Sequence, residues 1–373
     1  MKFSIKKELL LENLNNVSKA VSSKNVIPVL GGIKFNLTNE GLFLTATNNE
    51  IDIESFIDKK YIDKIESLGT IVIQGKYLLE IVRKLPEGLI NIEIIDGLKI
   101  LINSQNSNFN LNGIDPNEFP NINLENSINP IILSKKVIKN FVNQTLFATS
   151  MQESRPILTG INIKITGDIL ECSATDSYRL AKKQAKLNEI AGETYNIIVP
   201  GKNIVEFMKI LNEGNEELEI HIFSNKVLFK QNNLLFQSRL VSGNYPNVNN
   251  LIPSDSFLKI TANLSNLYDV IDRASILTSD KEKNIVTLET NKNLLIVRSS
   301  SAEIGRVEEK MNITKDNEEE IKISFSAKYM MDALRSFEGD TVELAFEGEV
   351  KPIIIKDVED PNLTQLVLPI RTY

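Results

Sequence analysis

The sequence repeats one eight-residue stretch three times, as Gly75-Lys-Tyr-Leu-Leu-Glu-Ile-Val82, Gly201-Lys-Asn-Ile-Val-Glu-Phe-Met208 and Ala327-Lys-Tyr-Met-Met-Asp-Ala-Leu334. Each stretch begins 126 residues after the one before it, with lysine in second place and an acid in sixth place. A β-rich run precedes each stretch. Because the spacing is far longer than that of a solenoid repeat, it indicates three copies of one domain.

The apolar residues of each stretch recur at i, i+3, i+4 and i+7, which places them on one face of an α-helix. They are Leu78, Ile81, Val82 and Leu85; Ile204, Phe207, Met208 and Leu211; and Met330, Ala333, Leu334 and Phe337. A glycine follows each predicted helix (Gly88, Gly214 and Gly339), and we expect each to be the left-handed residue just past the helix.

Each third of the chain shows the same order of predicted elements. An opening helix (7–21, 135–147 and 264–274) is followed by a hairpin, by the repeated strand and helix, and by further strands. The other predicted strands are 33–37, 42–46, 90–95, 99–102 and 109–111; 161–165, 169–173, 218–222, 226–229 and 234–240; and 285–289, 294–298, 342–346, 353–355 and 366–369. Antiparallel strands with two helices per third predict an α+β architecture.

The composition agrees with three globular domains. The chain has 373 residues, of which 42% are hydrophobic and 24% charged, as in ordinary globular proteins. Polar stretches that contain proline, 120–130 and 246–256, suggest boundaries that give domains 1–128, 129–255 and 256–373. The chain has no apolar run of about 18 residues and no secretory signal at its start. We therefore expect a cytoplasmic protein without membrane contact.

The sequence offers few residues for catalysis. It has one histidine, His221, and one cysteine, Cys172, too few for a Cys/His zinc site or a Cys–His dyad. Cys172 lies in a strand-like run and is expected to be buried and inert. No phosphate-binding glycine motif is present. The net charge of −7 does not by itself favour nucleic acid, but it does not say where the charges lie. These observations predict a non-enzymatic protein with no metal and no cofactor.

The segment Ala174-Thr-Asp-Ser-Tyr-Arg-Leu-Ala181 differs from its counterpart in the first copy, 46–53. Thr-Asp-Ser predicts a turn, and Tyr178 and Arg179 are residue types favoured at binding hot spots. The alternative is a turn with a partly buried tyrosine. The last residues, 366–373, form an apolar tail that we expect to dock on its own domain, where it is also able to line a groove.

Several motifs together resemble the bacterial β sliding clamps, the processivity subunits of the replicative DNA polymerase. They include Ile27-Pro-Val-Leu-Gly31, Ala174-Thr-Asp-x-x-Arg-Leu-Ala181, Val199-Pro-Gly-Lys202, Ser242-Gly-Asn-Tyr-Pro246 and Leu368-Pro-Ile-Arg371. The resemblance covers the whole chain. It implies the DNA-clamp fold, with three similar domains per chain and two chains joined head to tail in a ring. In that ring antiparallel sheets lie outside, and two helices per domain lie inside.

The resemblance also implies a function. Such a ring encircles duplex DNA and tethers the replicative polymerase and other replication and repair proteins, without catalytic activity. The implied partners are a second copy in a homodimer, double-stranded DNA, the DNA polymerase III alpha subunit, the clamp loader and other proteins with a clamp-binding motif. The alternatives are a three-domain peptide-binding scaffold that does not encircle DNA, and an enzyme with an unrecognised carboxylate site.

The resemblance assigns residues to three sites. A groove for partner peptides is implied at Leu158, Thr175, Ser177, Tyr178, Arg179, Leu180, Pro246, Leu251, Ser326, Tyr329, Val350, Pro352, Val367, Leu368, Pro369, Ile370 and Arg371. DNA contacts are expected at Lys24, Lys76, Lys136, Lys139, Arg155 and Lys202; Lys7 and Lys135 also lie on predicted polar helix faces. The dimer interface is expected at Phe109, Ile276 and Leu277. The alternatives are a solvated helix face for each lysine and an ordinary core for the apolar residues.

Overall fold

The computed structural model describes residues 1–22, 27–187, 191–212, 214, 216–253, 255–278 and 284–371. Within these residues the chain passes three times through one order of strand, helix, strands, helix and strands. The predicted α+β class is thus confirmed. In the described part of the chain, no helix is long and apolar enough to span a bilayer.

The helices of the described residues fall two to each third of the chain. They are α1 Lys7–Val17, α2 Gly75–Lys84, α3 Lys135–Thr145, α4 Gly201–Ile210, α5 Leu264–Ser275 and α6 Ala327–Leu334. The first two opening helices are shorter than predicted, because the chain continues as the 3₁₀ turns Ser18–Ala20 and Leu146–Ala148. α5 begins at a side-chain cap, in which Asn263 Oδ1 accepts the N–H of Asn266 at 3.0 Å.

The strands also follow the three thirds of the chain. The first third holds β1 Lys2–Lys6, β2 Gly32–Leu37, β3 Gly41–Thr47, β4 Ile51–Asp58, β5 Lys64–Ser67, β6 Gly69–Gln74, β7 Leu89–Asp96, β8 Lys99–Ser104 and β9 Ser107–Asn112. The second holds β10 Ile131–Ser134, β11 Gly160–Thr166, β12 Ile169–Thr175, β13 Arg179–Lys186, β14 Tyr195–Pro200, β15 Glu217–Ile222, β16 Lys226–Gln231 and β17 Leu234–Arg239. The third holds β18 Leu258–Asn263, β19 Ile285–Asn291, β20 Leu294–Ser301, β21 Gly305–Asn312, β22 Thr314–Lys315, β23 Lys322–Ser326, β24 Thr341–Phe346, β25 Ile353–Asp357 and β26 Leu363–Val367.

The glycine prediction at the helix ends was wrong. Gly88 and Gly214 do have positive φ angles, of 129° and 147°. They lie four residues beyond the last residues of α2 and α4, however, and Gly339 has no positive φ. The chain instead leaves α2 at Leu85 in an extended conformation, with φ −61° and ψ 150°. The apolar residue just past the helix is buried there, so the chain turns toward the core instead of making a left-handed cap.

Two compact units divide the chain, and the first comprises Met1–Lys136 and Lys202–Leu240. It contains a sheet of order β5-β1-β7-β8-β9 and a sheet of order β10-β15-β16-β17-β4-β3-β2-β6. The larger sheet contains strands from both the first and the second third of the chain, because β17 pairs with β4. The two strands are antiparallel, with Phe236 opposite Ile53. Leu10, Leu14 and Val17 of α1 are fully buried in this unit.

The second unit comprises Val137–Gly201 and Val241–Tyr373. Its sheets have the orders β14-β11-β12-β13-β26-β25-β24-β18-β22 and β21-β20-β19-β23. The larger sheet here contains strands from both the second and the last third of the chain, because β13 pairs antiparallel with β26. A continuous core lies beneath α5 and α6 and includes Leu267, Ile271 and Met330, each fully buried.

Candidate partner-binding groove

The turn between β12 and β13 is held by its own side chains. Asp176 Oδ1 accepts the N–H groups of Tyr178 and Arg179 at 2.9 and 3.0 Å. Thr175 Oγ1 donates to the carbonyl of Arg179 at 2.6 Å and accepts the N–H of Ser177 at 3.1 Å. Ser177 adopts a φ of 77°, the left-handed conformation that such a tight turn requires. The sequence prediction of a turn here is therefore confirmed.

Arg179 is fixed by two carboxylates and two aromatic rings. Its Nε donates to Asp176 Oδ2 at 3.0 Å and its Nη1 donates to Asp332 Oδ2 at 2.7 Å. The guanidinium lies 4.6 Å from the ring centre of Tyr329 and 5.4 Å from that of Phe147. Its side chain is only 11% exposed. Charge-assisted hydrogen bonds and cation–π contacts of this kind hold the Arg179 side chain in one conformation, unlike that of a mobile surface arginine.

The aromatic ring of Tyr178 remains open to solvent. It is 59% exposed, and its centroid lies 6.3 Å from that of Tyr329, with 25° between the ring planes. Tyr329 is half-buried, and burial, followed by the charge of Asp176, raises the pKa of its phenol. The phenol of Tyr329 therefore stays neutral next to the fixed guanidinium.

An apolar cluster supports the other side of the turn. Leu180, Val248, Ile354 and Leu366 are buried together, and Leu368 packs against them while staying half-exposed. The cluster also includes Ala345, so it draws on β13, on the linker after β17, on β24, β25 and β26, and on Leu368 beyond β26. It thus joins β13 and the linker to the last strands of the chain.

The C-terminal segment continues beyond β26 along this site. The N–H of Leu368 donates to the carbonyl of Tyr178 at 2.9 Å, and the N–H of Ile370 donates to Ser324 at 2.7 Å. Pro369 forms an isolated bridge with Phe325. The expectation that the tail docks on its own domain is confirmed for these residues; 372 and 373 lie outside the described residues.

All residues predicted for the groove belong to the second unit, with different exposure. Thr175, Leu158, Leu180, Ser326 and Val367 are buried, and Leu251 and Val350 are 49% and 59% exposed. Pro246 and Leu251 flank the buried Val248 of the linker, Val350 and Pro352 come just before β25, and Arg371 is exposed. The structure thus places exposed apolar residues on the segments that form the buried cluster.

Asp176, Asp332, Phe147 and Tyr245 were missing from the sequence-based list. Tyr245 Oη accepts the N–H of Thr175 at 2.9 Å, and burial raises the pKa of its phenol. One signal was available for Asp332, which is the acid in sixth place of the third repeated stretch. The other contacts required the tertiary structure.

The residues predicted to touch DNA differ in exposure. Lys24 lies outside the described residues. Lys76, Lys136 and Lys202 are exposed, and Lys139 is half-buried. Arg155 is exposed but lies beside the turn described above, with its Nη1 donating to Ser177 Oγ at 3.2 Å. This contact places Arg155 beside the turn between β12 and β13.

The polar-face prediction was wrong for two lysines. Lys7 is 8% exposed and Lys135 is 1% exposed. The ammonium of Lys7 lies 2.7 Å from Glu87 Oε1, and that of Lys135 pairs with Glu216. Both lysines begin a helix directly after a strand, and each ammonium reaches a carboxylate about 80 residues later in the sequence.

The residues predicted for the dimer interface are surface residues of their units. Phe109 in β9 of the first unit is 37% exposed. Ile276, just past α5 in the second unit, is 72% exposed, and Leu277 is half-buried. The alternative of an ordinary core position therefore does not hold for Phe109 and Ile276.

His221 and Cys172 are both buried. Burial raises the pKa of the Cys172 thiol, which disfavours the reactive thiolate. His221 Nδ1 accepts the N–H of Ser127 at 2.9 Å and lies 3.0 Å from its hydroxyl. Its Nε2 lies 3.2 Å from Glu219 Oε2. The imidazole of His221 therefore connects the linker at Ser127 to β15 through hydrogen bonds. Among the described residues, no group of three or more His, Cys, Asp or Glu side chains is arranged to hold a metal ion.

Replacing His221 by asparagine is expected to remove a pH-dependent part of the stability. Burial lowers the pKa of His221 below its ordinary value of 6.5, although the nearby carboxylate of Glu219 raises it. The positive charge of Lys230 also lowers this pKa. At a pH between the lowered pKa of the folded chain and the ordinary pKa of the unfolded chain, the unfolded chain binds more protons than the folded one. The free energy of unfolding therefore falls as the pH drops below 6.5 and levels off below the pKa of the folded chain. Asparagine keeps an oxygen acceptor for Ser127 but does not titrate.

Urea unfolding of both proteins at about pH 7.5 and about pH 5.5 measures this effect. We expect the loss of unfolding free energy between the two conditions to be smaller in the variant than in the wild type. An equal loss in both proteins would show that His221 keeps its ordinary pKa. Titrations of carboxylates that do not contact His221 contribute equally to the two proteins and cancel in the comparison.

Comparison with known proteins supports the resemblance to the beta sliding clamps over the full length of the chain. The chain matches the N-terminal, central and C-terminal domain models of the DNA polymerase III beta subunit over residues 1–123, 132–247 and 249–371. It is 42% identical to the beta sliding clamp of Bacillus subtilis and 40% identical to that of Staphylococcus epidermidis, covering 100% of each chain.

Solved structures agree in the fold. The Bacillus subtilis sliding clamp crystal structure superposes with a TM-score of 0.97 at 42% identity, and the beta chain from Streptococcus pneumoniae with 0.96 at 34%; each comparison covers 100% of both chains. The chain thus belongs to the DNA polymerase III beta subunit family, the beta sliding clamps.

Proposed function

We propose that this chain forms a homodimeric ring that encircles duplex DNA and holds the replicative polymerase on its template. The full-length match to all three beta-subunit domain models carries this proposal. The protein is a processivity subunit and performs no catalysis itself. We retain the domain boundaries 1–128, 129–255 and 256–373 and a cytoplasmic location as parts of the proposal.

We assign partner binding to the groove around Tyr178 and Arg179. The C-terminal segment bonds to Tyr178, beside the rigid guanidinium of Arg179 and two aromatic rings, a combination that suits the anchor residues of a short peptide. A partly exposed leucine, Leu368, offers a contact beside a buried cluster. The proposed occupants are peptides of the DNA polymerase III alpha subunit, the clamp loader and other proteins with a clamp-binding motif. Arg155 fits the rim of this groove through its contact with Ser177.

Contact with DNA is assigned to scattered lysines. Lys136 and Lys202 are exposed and Lys139 is half-buried, near the starts of α3 and α4, and we keep Lys24 and Lys76 as predictions. A ring that encloses DNA needs little affinity, and many strong phosphate contacts would hinder sliding and raise the salt dependence. A small number of exposed lysines on an acidic chain fits that requirement.

The dimer is assigned to two sheet edges. Within the described residues, β9 pairs only with β8, and β21 pairs only with β20. Exposed edge strands are a template for pairing with another chain. Phe109 lies in the first edge strand, and Ile276 and Leu277 lie just past the helix that packs on the second. One residue that the resemblance predicts for the interface thus lies on the first edge, and the other two lie just past the helix that packs on the second edge.

Retention on circular DNA tests the whole proposal. Loaded onto a nicked circle by a clamp loader, the protein should stay bound through gel filtration, and it should be released when the circle is cut at one site. Retention should change little with salt, because the hold is topological. The same plasmid cut before loading is the control. Equal retention on both forms would indicate ordinary DNA binding, and retention on neither would favour a scaffold that never encircles DNA.

A further inference from the structure

The acid in sixth place of the repeated helix has different partners in the three copies. In the first copy Glu80 pairs with Arg83 of the same helix, with 2.7 Å between the charged atoms. In the second copy Glu206 pairs in the same way with Lys209, also at 2.7 Å. About half of each basic side chain is exposed, and ion pairs of this kind on a helix surface contribute little to stability.

In the third copy this acid reaches into another copy. Asp332 Oδ2 accepts a hydrogen bond from Arg179 Nη1 at 2.7 Å, whereas Arg335, three residues further along α6, lies 3.6 Å from Asp332 Oδ1. The side chains of Asp332 and Arg179 are only 22% and 11% exposed. Because partly buried ion pairs are screened less than exposed ones, the contact between copies is the main ion pair of Asp332.

One face of α6 offers Arg179 two contacts. Tyr329 and Asp332 are the third and sixth residues of α6, and residues three apart lie on the same side of a helix. The ring centre of Tyr329 lies 4.6 Å from the guanidinium. On the other side, Asp176 Oδ2 accepts from Nε at 3.0 Å. The guanidinium is therefore held between α6 and the turn that carries Tyr178.

The junction between the first and second copies is built without this ion pair. There β4 and β17 pair in the same antiparallel register as β13 and β26, with the third residues of the two strands opposite each other. Arg179 is the first residue of β13, and the first residue of β4 is Ile51, which is 1% exposed. An isoleucine cannot form an ion pair with Glu206. The strand pairing that joins two copies therefore does not require the pair, which belongs to the junction with the groove.

We propose that Asp332 is a positioning residue for peptide binding, which acts by holding the Arg179 guanidinium against Tyr329. This inference rests on the groove of the proposed function and adds a residue to it. Without Asp332 the guanidinium keeps Asp176 as its one close carboxylate, and a charge so far removed from water moves to regain a partner or solvent. The turn and the ring of Tyr329 then lose their common anchor. A peptide would have to restore their arrangement on binding, which lowers its affinity.

The variant Asp332→Asn tests the proposal, because asparagine keeps the size of the side chain and lacks its charge. The dissociation constant of a labelled polymerase-derived peptide, measured by fluorescence anisotropy, should rise about tenfold. Glu206→Gln is the matched control, since it removes the charge from the same place in the second copy, and it should leave the affinity unchanged. Asp332→Glu, which installs the acid of the other two copies, should recover most of the lost affinity.

A double-mutant cycle shows whether Asp332 acts through Arg179. Arg179→Met removes the guanidinium and keeps an unbranched side chain. In that background Asp332→Asn should change the peptide dissociation constant by less than about twofold, because the contact is already gone. An equal loss of affinity in both backgrounds would show that Asp332 acts by another route, and would overturn the inference.

The remaining outcomes separate this inference from the proposed function. An Asp332→Asn variant that binds the peptide as tightly as the wild type would overturn the role of Asp332 and leave the groove in place. Loss of the folded circular dichroism spectrum in this variant would give Asp332 a purely structural role, which also contradicts the proposal. A wild-type protein that does not bind the peptide would overturn the groove itself.

Discussion

Replacement of Leu368 and Pro369 together by alanine is expected to weaken the binding of a polymerase-derived peptide by roughly 30- to 100-fold. Leu368 packs against the cluster of Leu180, Val248 and Ile354 and keeps part of its side chain open. The open part is the surface that an apolar anchor would cover. Its loss, with that of the proline ring, removes about 2 to 3 kcal/mol of binding free energy.

Fluorescence anisotropy with a labelled peptide measures this change. The hydrogen bond from the Leu368 N–H to the carbonyl of Tyr178 is a backbone bond, so the C-terminal segment should stay docked and the dimer should persist. Val358→Ala is the matched control, because Val358 is a 57% exposed valine of the same unit outside the predicted groove. If the double variant bound the peptide as tightly as the control, the groove would have to be assigned elsewhere.

Replacement of Ile276 and Leu277 together by aspartate is expected to convert the dimer to monomers and to abolish retention on circular DNA. Ile276 is 72% exposed in the single chain. A dimer that buried both positions would have to desolvate two unpaired carboxylates at each joint, which costs several kcal/mol per charge. The dimer dissociation constant should therefore rise by more than about 1000-fold.

Light scattering over a range of concentrations reports the oligomeric state. Because Leu277 is half-buried, the single variant Ile276→Asp separates a lost interface from a weakened fold, and its circular dichroism spectrum should match that of the wild type. Val358→Asp places the same charge on another exposed position of the second unit and should leave the dimer intact. A stable dimer of the double variant would remove these residues from the interface.

Much of the local structure followed from the sequence. The two equal spacings between the three repeated stretches, with their apolar stripes, located α2, α4 and α6, and the alternation of residues located most hairpins. The strands that directly precede an opening helix, such as β10 before α3, were not predicted. A strand of four residues that leads directly into a helix is too short to show either the alternation of a strand or the periodicity of a helix. β4 was also missed, although its buried positions alternate from Ile51 to Ile57.

The groove was only partly predictable. Tyr178 and Arg179 stood out because the second copy differs from the first at these positions. The carboxylate of Asp332, 153 residues away, and the ring of Phe147 were not linked to them by any local pattern. The same is true of Lys7 and Lys135, which the sequence predicts as exposed cations. A buried ammonium depends on a distant partner, and only the folded chain shows where that partner lies.

By itself, the sequence determined the number of copies, the order of elements within each copy and the near absence of reactive side chains. These features depend on residue spacing and composition, which are properties of neighbours along the chain. The tertiary structure alone decided that β4 pairs with β17 and that β13 pairs with β26. The backbone hydrogen bonds of an edge strand accept any other edge strand, so the choice of partner comes from side-chain packing between segments more than 170 residues apart.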